Sequence, residues 1–195
     1  MTTASAAVKE DLRRAALGRR RALSAAERTK FGARLAREGL ALAKKNAARA
    51  VSAFYPLRDE PDTLPLLTAL ADAGFVTLLP ITMARGAALL FRSWRPGDPT
   101  REGAMRIPEP LAEAPALDPD LLFVPLACFD RRGHRIGYGA GHYDRTLTAL
   151  RAKGRALAVG VAYSVAECDS LPDEAHDQRL DFVLTESELI SCTDA

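Results

Sequence analysis

The sequence has almost no excess charge of either sign. Its 195 residues include 27 lysines and arginines against 25 aspartates and glutamates, a formal net charge of +2 at pH 7. Nucleic-acid-binding domains usually concentrate basic charge on one face, and those that bind single strands add stacking aromatic residues. Aromatic residues make up only 6% of this chain. We therefore expect no nucleic-acid partner, and an RNA-binding role has only the general arginine content in its favour.

Cysteine is scarce, with three residues far apart at Cys128, Cys168 and Cys192. An odd number without any C-x-x-C spacing predicts neither a disulfide framework nor a zinc site, and the histidines add no H-x-x-x-H pattern. Thiols of this kind are typical of a reducing compartment, so we expect a cytoplasmic protein.

Long apolar runs are also missing. No window approaches the roughly 18 consecutive apolar residues that a membrane-spanning helix requires. Residues 1–21 contain basic side chains but lack the apolar centre of a signal peptide. We expect no membrane association.

The sequence does contain alternating helical and extended patterns. Its length and its 48% of hydrophobic residues are enough for one sizeable core. We predict a monomer with a single domain, 1–195, in which an N-terminal helical segment, 1–46, packs on an α/β core. The predicted helices are 4–23, 24–46, 62–73 and 141–153. The predicted strands are 50–55, 75–79, 87–94, 121–124, 156–161 and 182–184. This alternation predicts the α/β class with a largely parallel sheet covered on both faces, and the long connection 95–119 is predicted to be a lid or binding loop.

The densest pattern begins with an apolar run, Leu121 to Val124, that ends at Pro125 as a buried strand would. Alternate glycines follow before a helical segment, at Gly137, Gly139 and Gly141. Glycine permits positive φ angles, so successive N–H groups can converge on an anion at a helix N-terminus. The arginines that flank the glycines suit phosphate oxygens: Arg131, Arg132, Arg135 and Arg145. The spacing matches neither the dinucleotide fingerprint nor the P-loop, so the pattern leaves open an anion site and a structural turn.

Several other polar residues have two interpretations. Lys9 and Arg13 are four residues apart and share one side of the first predicted helix, where they form either a solvated basic face or a phosphate contact. Asp144 suits the first turn of a helix because of the helix dipole, and Asp177 suits a turn. Glu60 follows the first predicted strand, where open α/β sheets keep their ligands.

The run from Val124 to Arg145 reads V-P-x-x-x-F-D-x-x-G-x-R-I-G-Y-G-x-G-x-Y-D-R. It resembles the signature of the 5-formyltetrahydrofolate cyclo-ligases, also called 5,10-methenyltetrahydrofolate synthetases. The resemblance continues in order along nearly the whole chain, at residues 9–13, 54–63, 107–110 and 176–185. It implies a three-layer α/β/α sandwich.

The resemblance also implies an activity and a site. The activity is ATP-dependent cyclisation of 5-formyltetrahydrofolate to 5,10-methenyltetrahydrofolate, with release of ADP and phosphate through an N5-iminophosphate. Magnesium would accompany ATP on Asp144 and Asp177, and Arg135 and Tyr143 would be catalytic. The implied ATP contacts are Lys9, Arg13, Arg135, Gly137, Tyr138, Gly139, Ala140, Gly141, His142 and Tyr143. The implied folate contacts are Tyr55, Glu60, Gly139 and His142.

Two positions depart from the family pattern. His142 stands where members commonly have tyrosine, and Met105-Arg106 stands ahead of Ile107-Pro108, where some members have tryptophan. His142 replaces the tyrosine hydroxyl by an imidazole ring that can donate or accept a hydrogen bond. Met105 weakens the case for aromatic stacking from the connection 95–119. The alternative to an enzyme is a non-catalytic protein of the same fold that binds a nucleotide or folate for regulation.

Overall fold

The computed structural model describes residues 3–84, 86–154 and 156–192; the side chains of residues 3–5 and 105 lie outside this description, and with them the expectation for Met105. The helices are α1 Thr3–Arg21, α2 Ala25–Lys45, α3 Leu64–Asp72 and α4 His142–Lys153. The strands are β1 Ala50–Ser52, β2 Val76–Ile81, β3 Leu90–Ser93, β4 Thr100–Glu102, β5 Pro108–Pro110, β6 Leu121–Pro125, β7 Cys128–Phe129, β8 Arg135–Ile136, β9 Leu157–Val161, β10 Phe182–Leu184 and β11 Leu189–Ser191. None of the described helices is long and apolar enough to cross a bilayer.

Seven strands form the central sheet, in the order β11-β10-β9-β6-β1-β2-β3. The five inner strands run parallel, and the edge strands β3 and β11 run antiparallel to their neighbours. Strand β6 is buried on both faces because its side chains alternate between two core clusters. Leu121 and Phe123 pack with α2 and α3, whereas Leu122 and Val124 pack with α4. The predicted α/β class and three-layer sandwich are confirmed.

Helix α2 begins and packs as its sequence dictates. Ser24 and Glu27 form a reciprocal capping box at its start, which satisfies backbone N–H groups that have no partner inside the helix. Gly39 lets the helix approach the sheet closely. A Cβ atom at this position would lie only 2.7 Å from Leu66 Cδ1 and 3.0 Å from Phe123 Cζ, so a larger residue would push α2 away from the core.

The sheet has a topological switch point between β1 and β6. From β1 the chain passes through α3 to β2 on one side, and from β6 it passes through α4 to β9 on the other. The loops that follow β1 and β6 therefore diverge and leave a crevice at the carboxyl ends of the strands, the usual ligand site of open α/β sheets. Helix α1 contacts this edge, since Arg13 Nε donates to the carbonyl of Gly137 in the loop after β6, at 2.8 Å.

Some element predictions were wrong in detail. Strand β1 ends at Ser52 rather than at residue 55, and β3 begins at Leu90 rather than at residue 87. The antiparallel edge strand β11 and the short β7–β8 pair were missed, because two or three residues carry too little alternation to be recognised. The connection 95–119 contains the β4–β5 hairpin, anchored by the buried Glu109, whose Oε1 accepts from Thr82 N at 2.9 Å. Its role as a lid stays a prediction.

Candidate active site

The glycine loop, which we define as residues 137–141, runs directly into the N-terminus of α4. Gly139 and Gly141 have φ angles of 93° and 65°, a left-handed region that side chains with a Cβ atom rarely adopt. A Cβ atom at Gly141 would also lie 2.9 Å from Arg145 Nη1, and the guanidinium of Arg145 donates to the carbonyl of Ala140. A tight glycine turn before a helix N-terminus, with a guanidinium beside it, is suited to bind an anion.

Helix α1 places one predicted cation, Arg13, at this loop and the other, Lys9, at Asp177. Lys9 Nζ lies 2.9 Å from Asp177 Oδ2, and Arg13 Nε donates to the carbonyl of Gly137. Both side chains are largely buried, with 16% and 20% of their surface exposed. They therefore do not form the solvated basic face that was one interpretation of their spacing.

Arg135 pairs with one predicted metal ligand, Asp144, and feels the charge of the other, Asp177. Its Nη2 atom donates to Asp144 Oδ1 at 2.7 Å, and Gln178 N donates to the same oxygen at 3.1 Å. Burial lowers the pKa of Arg135 below its ordinary value, although the charges of Asp144 and Asp177 act in the opposite direction. The backbone next to Asp177 thus contacts Asp144 through Gln178 N, while the carboxylate of Asp177 accepts from Lys9 and from Glu174 N.

The described residues contain no group of three or more histidine, cysteine or acidic side chains that could hold a metal ion. Asp144 and Asp177, the carboxylates that the resemblance implies for magnesium, each use one oxygen to accept from a cation, Arg135 and Lys9 respectively. Mg²⁺ usually takes one or two carboxylates and completes its shell with water and substrate phosphates. Two carboxylates are therefore chemically suited to Mg²⁺, and their role as its ligands stays a prediction.

Glu60 and Tyr138 connect the loops on the two sides of the switch point. The hydroxyl of Tyr138, in the glycine loop, donates to Glu60 Oε1 at 2.6 Å, and Leu57 N donates to Glu60 Oε2 at 3.0 Å. Burial raises the pKa of Glu60 above the usual carboxyl value, although these hydrogen bonds act against the shift. Burial and the charge of Glu60 raise the pKa of Tyr138, so the phenol stays protonated and donates.

Tyr143 occupies the first turn of α4 and packs against the core cluster beneath that helix. Burial raises the pKa of its phenol above the ordinary value, and the nearby charge of Glu60 raises it further. The protonated hydroxyl can therefore donate to an oxyanion but cannot act as a base near neutral pH. A cavity of about 270 Å³ lies along α4, lined by Gly141, Asp144, Arg145, Thr148, Ala149 and His176.

The other two predicted folate contacts face neighbouring elements. The ring of Tyr55 packs edge-on against Trp94, with 6.1 Å between ring centroids. The Nδ1 atom of His142 lies 2.9 Å from the carbonyl oxygen of Ala87, in the loop between β2 and β3. Neither ring forms a described contact with Glu60, and their roles in folate binding stay predictions.

Two of the four arginines that flank the glycines belong to another part of the fold. Arg131 pairs with Glu167 and Glu188, and Arg132 pairs with Asp130 at 2.7 Å. These contacts hold the turn between β7 and β8. The expectation that all four arginines supply charge to the glycine loop is therefore corrected to Arg135 and Arg145.

Sequence reasoning missed the buried ion pair of Arg20 and Asp59, whose Nε and Oδ2 atoms lie 2.9 Å apart. Burial opposes ionisation of Asp59, but the hydrogen bond and charge of Arg20 outweigh it and hold the pKa of Asp59 below its usual value. The sequence did contain a signal for Arg20, in the spacing of the cations along α1. Lys9, Arg13 and Arg20 follow one another at helical spacings, and therefore share one face of α1.

Comparisons with known proteins give the family. The sequence model of the 5-formyltetrahydrofolate cyclo-ligase family matches residues 5–186. The 5-formyltetrahydrofolate cyclo-ligase of Mycolicibacterium smegmatis is 34% identical over 184 residues, which cover 91% of this chain and 93% of the relative. That of Escherichia coli K12 is 32% identical, with 88% and 96% covered. The NMR structure of Aquifex aeolicus 5,10-methenyltetrahydrofolate synthetase superposes with a TM-score of 0.79 at 29% identity, covering 96% and 94% of the two chains. The chain is thus an enzyme of the 5-formyltetrahydrofolate cyclo-ligase family.

Proposed function

We propose that the chain catalyses ATP-dependent cyclisation of 5-formyltetrahydrofolate to 5,10-methenyltetrahydrofolate, releasing ADP and phosphate, as a cytoplasmic monomer. One observation carries the proposal. At the switch point between β1 and β6, the carboxylate of Glu60 contacts the loop that leads into the N-terminus of α4. A carboxylate suited to the ring N–H and amino donors of a pterin and a turn suited to phosphate therefore share one crevice.

The chemistry explains why a nucleotide is needed. The formamide oxygen of the substrate is a poor leaving group, so it first attacks the γ-phosphorus of ATP. A new oxygen–phosphorus bond forms as the bond to the β–γ bridging oxygen breaks, which gives ADP and an N5-iminophosphate. N10 then attacks the formyl carbon, the carbon–oxygen bond breaks, phosphate leaves with the electron pair, and N10 releases its proton.

This reaction requires alignment and charge stabilisation rather than a covalent nucleophile on the protein. Lys9, Arg13 and Arg135 would hold the phosphates together with the backbone of the glycine loop and His142. Tyr143, whose phenol is protonated, would donate to an oxygen of the transferring phosphoryl group. Tyr55 and Glu60, with Gly139 and His142, would bind the folate.

Asp144 and Asp177 would hold magnesium. When bound there, the ion would offset negative charge on the nucleotide phosphates. Each carboxylate has one oxygen that accepts from a cation of the chain, Arg135 for Asp144 and Lys9 for Asp177. These two cations hold the ligands in position before the nucleotide arrives.

An isotope experiment tests the proposed intermediate. In 5-formyltetrahydrofolate labelled with ¹⁸O in the formyl group, the labelled oxygen becomes part of the released phosphate if it attacks ATP. We expect one ¹⁸O atom in each phosphate by mass spectrometry. Unlabelled phosphate formed together with methenyl product would contradict the iminophosphate route, because water would then have cleaved the ATP.

A further inference from the structure

Arg20 is a buried cation that connects three elements of the candidate site. It lies on α1 with 6% of its surface exposed. Its Nε atom donates to Asp59 in the loop after β1, and its Nη1 atom donates to the hydroxyl oxygen of Tyr138 in the glycine loop, both at 2.9 Å. A buried guanidinium is costly unless it is paired and hydrogen-bonded, and here both partners belong to the loops that border the crevice.

These contacts fix the direction of the neighbouring hydrogen bond. A guanidinium has donors and no acceptor, so the oxygen of Tyr138 must accept from Arg20. The single proton of that hydroxyl is then directed to Glu60 Oε1, 2.6 Å away. Arg20, Tyr138 and Glu60 form a chain in which each donor points toward the carboxylate.

We propose that Arg20 is a positioning residue for the folate site, acting on Glu60 through the hydroxyl of Tyr138. The inference rests on the proposed function, in which Glu60 binds the pterin. Arg20 does not itself contact folate in this proposal. It orients Tyr138, and Tyr138 keeps the Glu60 carboxylate ionised and fixed in place for the donors of the substrate.

The charges around Glu60 support this role. Arg20 faces it from α1, Tyr138 from the glycine loop and Tyr143 from α4, while Asp59 lies beside it in its own loop. Burial and Asp59 raise the pKa of Glu60, and Arg20 acts in the opposite direction. Without Arg20 the Glu60 carboxylate would take up a proton at higher pH. The acid limb of the pH profile of kcat/KM for folate would then shift to higher pH.

The test compares Arg20→Met with variants that separate its two contacts. Tyr138→Phe removes only the hydroxyl. Asp59→Asn removes the charge that pairs with Arg20 and, with it, the charge that raises the pKa of Glu60. Arg19→Met removes an exposed neighbouring guanidinium that donates to Val165 O. We expect Arg20→Met to raise the folate KM about tenfold, the equivalent of one charge-assisted hydrogen bond. The KM for ATP should stay within about twofold, and the acid limb of kcat/KM for folate should move to higher pH.

The double variant Arg20→Met/Tyr138→Phe should be no worse than either single variant, because both changes interrupt the same chain. Arg19→Met should behave as the parent. An unchanged folate KM in Arg20→Met would overturn the proposal. So would a double variant whose rise in folate KM is the product of the two single rises, or an Asp59→Asn variant whose folate KM rises as much as that of Arg20→Met. If Arg20→Met does not fold, Tyr138→Phe decides, since it must then raise the folate KM. Should the parent form no methenyl product, which is a failure of the proposed function, folate dissociation constants measured by calorimetry still decide the role of Arg20.

Discussion

At the scale of single residues, Glu60 shows how the surroundings hold an ordinary carboxylate in a fixed orientation. Both of its oxygens already accept one hydrogen bond, from Tyr138 and from Leu57. The remaining lone pairs are therefore held in fixed directions, which favours a planar ligand that presents two donors side by side.

We predict that Glu60→Gln raises the KM for folate and leaves the KM for ATP unchanged. One lost charge-assisted hydrogen bond corresponds to roughly 1.5–3 kcal/mol, so the folate KM should rise about ten- to a hundredfold. Steady-state kinetics with each substrate varied in turn measures both values. Glu113→Gln, a change at an exposed position, serves as the control. A folded Glu60→Gln variant with the folate KM of the parent would remove Glu60 from the site.

A substitution at Asp144 distinguishes a catalytic role from a purely structural one. Asp144→Asn keeps the shape of the side chain and can still accept from Arg135, so a purely structural role predicts a loss of at most about 1 kcal/mol in stability and near-normal turnover. We predict instead a folded protein whose kcat falls by orders of magnitude and whose magnesium requirement rises, because the metal offsets charge during phosphoryl transfer.

Turnover measured across a magnesium titration, at saturating ATP and folate, tests this prediction. Asp118→Asn is the matched control, since Asp118 is exposed and pairs only with Lys153 among the described contacts, at 2.8 Å. Normal turnover of Asp144→Asn with the magnesium dependence of the parent would favour a purely structural aspartate.

At the scale of elements, α1 provides side chains to a crevice formed by the sheet loops. Lys9 contacts Asp177, Arg13 contacts the glycine loop, and Arg20 reaches the loop after β1. One helical face therefore serves both the proposed nucleotide region and the proposed folate region. This arrangement requires α1 to remain docked whenever either substrate is bound.

We predict that Lys9→Ala raises the KM for ATP about tenfold, the loss expected for one charge-assisted contact to phosphate, with little change in the KM for folate. Arg14→Ala provides the control on the same helix, because Arg14 is exposed and pairs only with Asp11 among the described contacts. Equal ATP kinetics in the parent, the Lys9 variant and the control would identify α1 as scaffold.

The turn between β7 and β8 depends on Asp130, which is fully buried. Its carboxylate accepts from Leu171 N, His134 N and the guanidinium of Arg132. Burial opposes its ionisation, but these donors outweigh it and hold the pKa of Asp130 below its usual value. The stability that it contributes is therefore present above the ordinary carboxyl pKa and is lost as the pH falls through the lower value of the folded state.

Asp130→Asn should therefore lower the free energy of unfolding by about 2 kcal/mol at neutral pH, because an amide cannot accept from all these donors. The difference from the parent should shrink as the pH falls below the ordinary carboxyl range. Urea unfolding at several pH values measures both quantities, again beside Asp118→Asn. A constant difference at every pH would show that ionisation of Asp130 contributes nothing to stability.

At the scale of the whole molecule, local pattern predicted the order of the main elements and the position of the glycine loop. Strand β6 was recognisable because four apolar residues are followed by proline, and α2 because of its capping box at Ser24. The contacts that complete the site were not predictable, because they join residues far apart in sequence. Arg20 and Asp59 are 39 residues apart, and Tyr138 and Glu60 are 78 apart. Nothing in the local sequence around either member specifies its partner.

In the proposed function, the crevice between the β1 and β6 loops couples ATP cleavage to closure of the folate ring. The most direct test mixes the protein with Mg-ATP and 5-formyltetrahydrofolate and follows the near-ultraviolet absorbance of the methenyl product, with ADP assayed in parallel. We predict a rise in absorbance that requires ATP, magnesium and protein together, with one ADP formed for each methenyl product. Binding of both ligands without any rise in absorbance would contradict the claim and favour a regulatory protein of the same fold.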